Sequence, residues 1–167
     1  MSQSDTTVLF RALPTELNFS LPEKRALRSF ARTLGVRVAN GRPFTCVIAD
    51  DAELRRLNNA FLQHDYATDV LSFPSDASVG ELGEMIISAE RAEFQAFEFG
   101  HDRIDEICLL MLHGLLHLCG MDHEHDRGQM ANAEHKWRKE LGLPVTLIAR
   151  SADAPRTATN PSAGRAG

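Results

Sequence analysis

A chain of 167 residues with 43% hydrophobic and 25% charged residues has the size and composition of one soluble globular domain, and no apolar run approaches the ~20 residues needed to cross a bilayer. The net charge of −5 supplies no global attraction to nucleic acid, so neither a membrane nor a DNA partner is expected and any nucleic-acid contact has to be local. Three cysteines with no Cys-x-x-Cys pair argue against a disulfide framework, and an N-terminus that is neither basic nor apolar points to the cytoplasm.

In chain order, residues 1–7 are expected to be a disordered start, 8–149 one domain and 150–167 a disordered tail. Val8 to Leu13 reads as a first strand, closed by Pro14. Ser20-Leu-Pro-Glu23 is a capping box with proline in the first turn, and Ala26, Leu27, Phe30 and Leu34 follow at helical spacing up to Gly35. Phe44 to Ala49 is a second strand, after which Asp50 caps a helix carrying Leu54, Leu57 and Phe61. Thr68 to Phe73 and Gly83 to Ser88 are two further strands joined by a loop. Ser88 caps a helix ended by Gly100, whose phenylalanines 94, 97 and 99 are expected in the core, as is Trp137. Asp102 opens a helix apolar on nearly every face from Ile104 to Cys119, the mark of a buried helix. Asp126 to Gln129 is a weaker capping box for a last helix, ended by Gly142 and Pro144. The strands and helices alternate within one domain.

The chemistry concentrates on the buried helix. His113 and His117 are one turn apart and face the same way, and Gly120 sits where a left-handed residue can end the helix and bring His123 round. Three histidines with a fourth position open are the ligand set of a catalytic zinc, one ion per chain. The spacing matches the metzincin pattern H-E-x-x-H-x-x-G-x-x-H, except that Gly114 replaces the glutamate base, which argues for metal and against ordinary proteolysis. His125 is the weaker alternative to His123 as third ligand. Imidazole sites also accept nickel, copper or iron.

Around this motif, Asp122, Glu124, His125, Asp126 and Glu134 are the groups near enough in sequence to handle protons, and none is assigned a catalytic role. Glu134 and His135 are expected on a solvated helix face. Asp69 either supports a ligand histidine or caps a turn, and Asn58 is read as a loop-positioning side chain. Lys24, Arg25, Arg28, Arg32, Arg37 and Arg42 lie in a segment whose only acid is Glu23, which makes a local basic face, more simply a solvated one. The cysteines 46, 108 and 119 are read as small buried hydrophobes, with Cys119 pointing away from the ligand face.

Three segments together resemble the YbeY family of bacterial endoribonucleases: Leu57-Asn58 with Thr68-Asp-Val-Leu-Ser-Phe-Pro74; Leu82-Gly-Glu-Met-Ile-Ile87; and the histidine motif continued to Met130 and Glu134. The resemblance spans roughly Val47 to Leu141. It implies the fold class α+β: a single domain with a mixed sheet of about four strands covered by helices, its buried helix the one that binds zinc. It also implies a zinc-dependent, single-strand-specific endoribonuclease acting in small-subunit ribosomal RNA 3′-end maturation and ribosome quality control. It further implies zinc on His113, His117 and His123, and ribosomal RNA with the small ribosomal subunit as partners. The chain departs from the family where Leu62 stands in place of an arginine, where Ala67 replaces a proline and where Glu84 replaces an aspartate. Leucine cannot bind two phosphate oxygens as arginine does. Two other readings therefore stand beside the first: a non-catalytic ribosome-associated RNA-binding factor with a structural zinc, and a zinc hydrolase of another substrate.

Overall fold

The computed structural model describes residues 5–11, 13–62, 69–76, 80–122 and 125–144, the side chains of 61 and 62 excepted. Four strands, β1 (Thr7–Phe10), β2 (Thr45–Ala49), β3 (Val70–Pro74) and β4 (Gly83–Ser88), form one mixed sheet in the order β1-β2-β4-β3. β1, β2 and β4 run parallel, and β3 pairs antiparallel with β4 along an edge. Five α-helices lie among the described residues: α1 (Leu21–Arg37), α2 (Asp51–Leu57), α3 (Ala89–Phe99), α4 (Arg103–Leu118) and α5 (Gln129–Leu141). The α+β class and the four-stranded mixed sheet in a single domain are as the family resemblance implies.

Alternation along the strands divides the interior in two. Cys46, Ile48, Met85 and Ile87 face the main core with α1 and α4, whereas Val47, Ala49, Leu71 and Ile86 face a smaller cluster closed by Leu54 and Leu57 of α2. Every residue of α4 from Glu106 to Leu116 is buried, because the helix lies against β3 and β4 and is flanked by α1, α3 and α5.

The caps are those legible in the sequence. Ser20 Oγ accepts from the Glu23 N–H at 3.2 Å and the Glu23 carboxylate accepts from the Ser20 N–H at 2.9 Å, closing the box reciprocally. Ser88 Oγ accepts from the Arg91 N–H at 3.1 Å and donates to Asp51 at 2.7 Å, so one buried hydroxyl ties the starts of α2 and α3 together.

Several boundaries differ from expectation for identifiable reasons. β1 stops at Phe10, whose partner Ile48 is one residue from the end of β2, and a short 3-10 turn at Thr15–Leu17 follows. α1 does not stop at Gly35. That glycine lies inside the helix, where a Cβ would meet Thr6 Oγ1 at 2.8 Å, and the chain turns only at Asn40 and Gly41, both at positive φ. Helix α2 ends at Leu57, and Asn58–Leu62 winds on as a π-helical turn with Asn58 buried. Thr68 lies outside the described residues, and β3 begins at Val70.

On α3 the core positions are Ala89, Ala92 and Ala96, whose small side chains bring the helix close to α4. Phe94 and Phe97, roughly 60° apart on the helix, fall on the opposite face and are 64% and 87% exposed rather than in the core. Glu90, Glu93 and Glu98 share that face, so its charge opposes RNA phosphates and does not suit a base-stacking platform. Phe99 is also exposed, while Trp137 packs against the main core with Arg37 over its ring.

Cys46 and Cys108 are buried, as expected, and Cys119 is exposed just beyond α4. Burial pushes the Cys46 thiol far above its ordinary range and the Cys108 thiol up to about 12. For Cys119, partial screening from water raises the thiol while Arg42 opposes the rise. In native protein at about pH 8 an alkylating reagent should therefore modify Cys119 and leave Cys46 and Cys108 untouched until denaturant is added, as read by peptide mass spectrometry. Native labelling of Cys46 would contradict this closed sheet face.

Candidate metal centre

His113 and His117 project from the C-terminal half of α4, their rings edge to face with centroids 4.8 Å apart. The expected pairing of these two imidazoles on one helix is thus present. His123 lies outside the described residues, and among the described residues no group of three His, Cys, Asp or Glu side chains is gathered to hold a metal.

Each imidazole has a definite partner on Nδ1. For His113 it is the Glu134 carboxylate of α5, 2.7 Å away. For His117 it is the backbone carbonyl of Met121, at 2.9 Å. An ionised carboxylate and a carbonyl only accept, so in the neutral imidazoles Nδ1 carries the hydrogen and the lone pair belongs to Nε2. That is the form in which histidine binds a metal through Nε2 while its other nitrogen is held by an acceptor. The two described imidazoles thus present the donor form that suits zinc, and with His123, the third that spacing expects, they would make up a ligand set for it.

The Met121 carbonyl reaches His117 because of the turn. After Cys119 the chain enters Gly120 at φ +98°, a conformation that a side chain disfavours, and the Met121 N–H returns to the Leu116 carbonyl at 3.0 Å. The glycine read as a turn residue in the sequence thus delivers the acceptor that orients His117.

Glu134 is the residue that sequence reasoning misplaced. It is expected on a solvated face, yet it is fully buried among the α5 residues Met130, Ala133 and Trp137, which pack onto the main core. Its position in the apolar 3-4 spacing of α5 was the available signal: the same stripe that carries Met130, Ala133, Trp137 and Leu141 also carries Glu134.

The other candidates are placed as follows. His125 is exposed with its Nδ1 2.7 Å from Asp122. Asp126 caps α5 from outside rather than as its N-cap: its carboxylate accepts from the Gly128 and Met130 N–H groups at 2.9 and 2.8 Å, and Gly128, at φ +101°, is the N-cap. Asp69 accepts from the Gln95 amide at 3.4 Å, and its carbonyl accepts from the Ser88 N–H at 3.0 Å. Glu124 lies outside the described residues, and His135 is exposed. On α1, Arg28 donates to the Val8 carbonyl at 3.3 Å and Arg37 pairs with Glu140 at 3.2 Å, while Arg25 and Arg32 are exposed.

Where a metzincin would carry its glutamate, Gly114 is pressed against the sheet. A Cβ there would lie 3.0 Å from Met85 Sδ and 3.3 Å from both Ser72 Oγ and Val70 Cγ2, and the Ser72 hydroxyl donates to the Gly114 carbonyl at 3.3 Å. Position 114 therefore points into the sheet and has no room for a carboxylate.

The model of the family described as Endoribonuclease YbeY matches residues 18–142, from the start of α1 to the end of α5. The chain belongs to the YbeY endoribonuclease family. It is 52% identical over 149 residues to the Endoribonuclease YbeY of Solibacter usitatus, covering 89% of this chain and 97% of that protein. The Endoribonuclease YbeY of Nautilia profundicola is 51% identical over 108 residues, 64% of this chain and 78% of that one. The solution structure of TM1509 from Thermotoga maritima is similar in fold, with a TM-score of 0.56 at 22% identity, over 97% of this chain and 100% of that chain.

The packing at Gly114 makes its own prediction. Gly114→Ala should cost about 1–2 kcal/mol, because a methyl has to press back Met85, Ser72 and the stiff Val70 side chain, and better helix propensity offsets only part of that. Gly114→Glu should lose about 3 kcal/mol or more in chemical denaturation, through a charge forced against the sheet, and gain no casein-degrading activity.

Proposed function

We propose that the chain is a zinc-dependent, single-strand-specific endoribonuclease that acts in the 3′-end maturation of small-subunit ribosomal RNA and in ribosome quality control, in the cytoplasm, with the small ribosomal subunit as partner. Family membership supports the nuclease reading, since the relatives are named endoribonucleases. The observation that carries the metal part is the pair of acceptors on Nδ1 of His113 and His117, which assigns the lone pair of both rings to Nε2. No described helix is long and apolar enough to cross a membrane.

His113, His117 and His123 would hold one zinc ion. When bound, zinc would supply Lewis-acid polarisation of a phosphoryl oxygen and a water whose pKa is lowered to about 7, which removes the need for the carboxylate that position 114 cannot accommodate. The side chains have the remaining tasks. Glu134 and the Met121 carbonyl keep the ligand rings from rotating, and exposed Arg25 and Arg32 are suited to phosphate contacts that position a strand without reading its bases.

Leu62 favours a second reading. In place of the family's arginine it offers no guanidinium to the phosphodiester, so a ribosome-associated factor that binds RNA, with zinc stabilising the helix and turn, is the alternative.

The deciding assay uses a labelled single-stranded RNA, zinc-loaded protein and His117→Ala prepared identically, with zinc counted per chain. The enzyme reading expects one zinc per chain and cleavage in the parent, and at least a ~100-fold loss of cleavage in the folded variant. One zinc per chain with no cleavage by the parent would favour the binding factor. Leu62→Arg should raise cleavage if the missing guanidinium limits the rate.

A further inference from the structure

We infer that Glu134 is a positioning residue of the metal centre: from α5 it holds His113 in the Nδ1–H tautomer and so sets the affinity of the site for zinc. The inference rests on the zinc reading above and extends the site to a helix that carries none of its ligands.

Three observations lead to it. Glu134 occupies a packing slot, flanked on the α5 stripe by Met130, Ala133 and Trp137, where an apolar side chain would satisfy the core. A carboxylate taken out of water costs several kcal/mol unless it is paired and hydrogen-bonded, so its presence there calls for a partner. Its partner is His113 at 2.7 Å, on a helix with no exposed face through that stretch, and 21 residues away in sequence.

The two ligand rings are held differently. His117 leans on a neutral backbone carbonyl, which no side-chain change removes; His113 leans on a charge. A carboxylate on the far nitrogen of an imidazole fixes the ring and makes the near nitrogen a better donor, and its loss typically costs 10–100-fold in metal affinity.

The molecule also contains an internal control. His101 and Glu106 form a second histidine–glutamate pair at 2.7 Å, with Glu106 fully buried, at the α3–α4 junction. That histidine has no imidazole neighbour one turn away, so Glu106→Gln should affect stability and leave zinc affinity as it was.

The test measures zinc affinity of the full chain by competition with a chromophoric chelator, beside the metal-free melting temperature, for the parent, Glu134→Leu, Glu134→Gln and Glu106→Gln. Glu134→Leu should bind zinc about 10–100-fold more weakly, and Glu134→Gln, which keeps an acceptor oxygen but not the charge, several-fold more weakly. Affinity within about twofold of the parent in Glu134→Gln would overturn the proposal even if the leucine variant fails to fold. Imidazole nitrogen shifts in the metal-free protein test the same point without zinc: the Nδ1–H form at His113 in the parent supports it, and the Nε2–H form overturns it. A parent that binds no zinc would defeat the metal reading, and the tautomer measurement separates that failure from this one.

Discussion

A helix with no exposed face leaves a polar side chain nothing but protein to bond with, and α4 is such a helix through the stretch that holds His113. An imidazole there must meet an acceptor or lose the hydrogen bonds it would have made in water. The contact with Glu134 meets that requirement, and much of the C-terminal half of the chain is arranged around it. Helix α5 has to lie alongside α4 and dock in the one rotation that points its carboxylate inward while Met130 and Trp137 pack on the core. The rest of the stripe is apolar, so the hydrophobic effect sets the docking of α5, and the hydrogen bond between Glu134 and His113 selects its register.

The opposite side of α4 is governed by close approach. Gly114 lets the helix rest on β3 and β4, and Gly83, at φ +145°, sits where a Cβ would meet both the Phe73 carbonyl oxygen of β3 and the Leu118 side chain of α4. Both glycines remove bulk between the histidine helix and the strands beneath it. A catalytic glutamate at 114 and this packing are mutually exclusive, so the exchange seen in the motif does two things at once. It removes the base that a protease needs, and it seats the histidine helix directly on the sheet.

Features written in contiguous residues were legible in the sequence. The reciprocal Ser20–Glu23 cap, the Ser88 cap, the left-handed glycines after α3 and α5, and the i, i+4 pairing of His113 with His117 each depend on a few neighbouring side chains. What escaped depends on tertiary placement. Gly35 reads as a stop because glycine ends helices, but here it is small so that Thr6 can approach. Phe94 and Phe97 read as core because they are aromatic, but the helical phase of three alanines wins the buried face of α3. Asp126 and Gln129 have the spacing of a capping box, yet Gly128 takes the N-cap and Asp126 reaches in from two residues further out. Glu134 looked solvated because charged residues usually are, and only the docking of α5 on α4 reveals its partner.

These misreadings share a physical origin that bears on the site itself. Local rules treat a residue type as having one preferred environment, whereas a functional centre often depends on a residue held in an unfavourable one by its surroundings. A carboxylate in an apolar stripe is costly in isolation and becomes tolerable only once α4 presents an imidazole to it. The cost makes the centre conditional on tertiary structure: until α5 is docked, His113 has lost the acceptor that assigns its tautomer. By contrast, the His117 acceptor lies only four residues along the chain and forms with the Gly120 turn. One imidazole is therefore prepared by local structure and the other by the assembled core, so the tautomers of both are set together only in the folded domain.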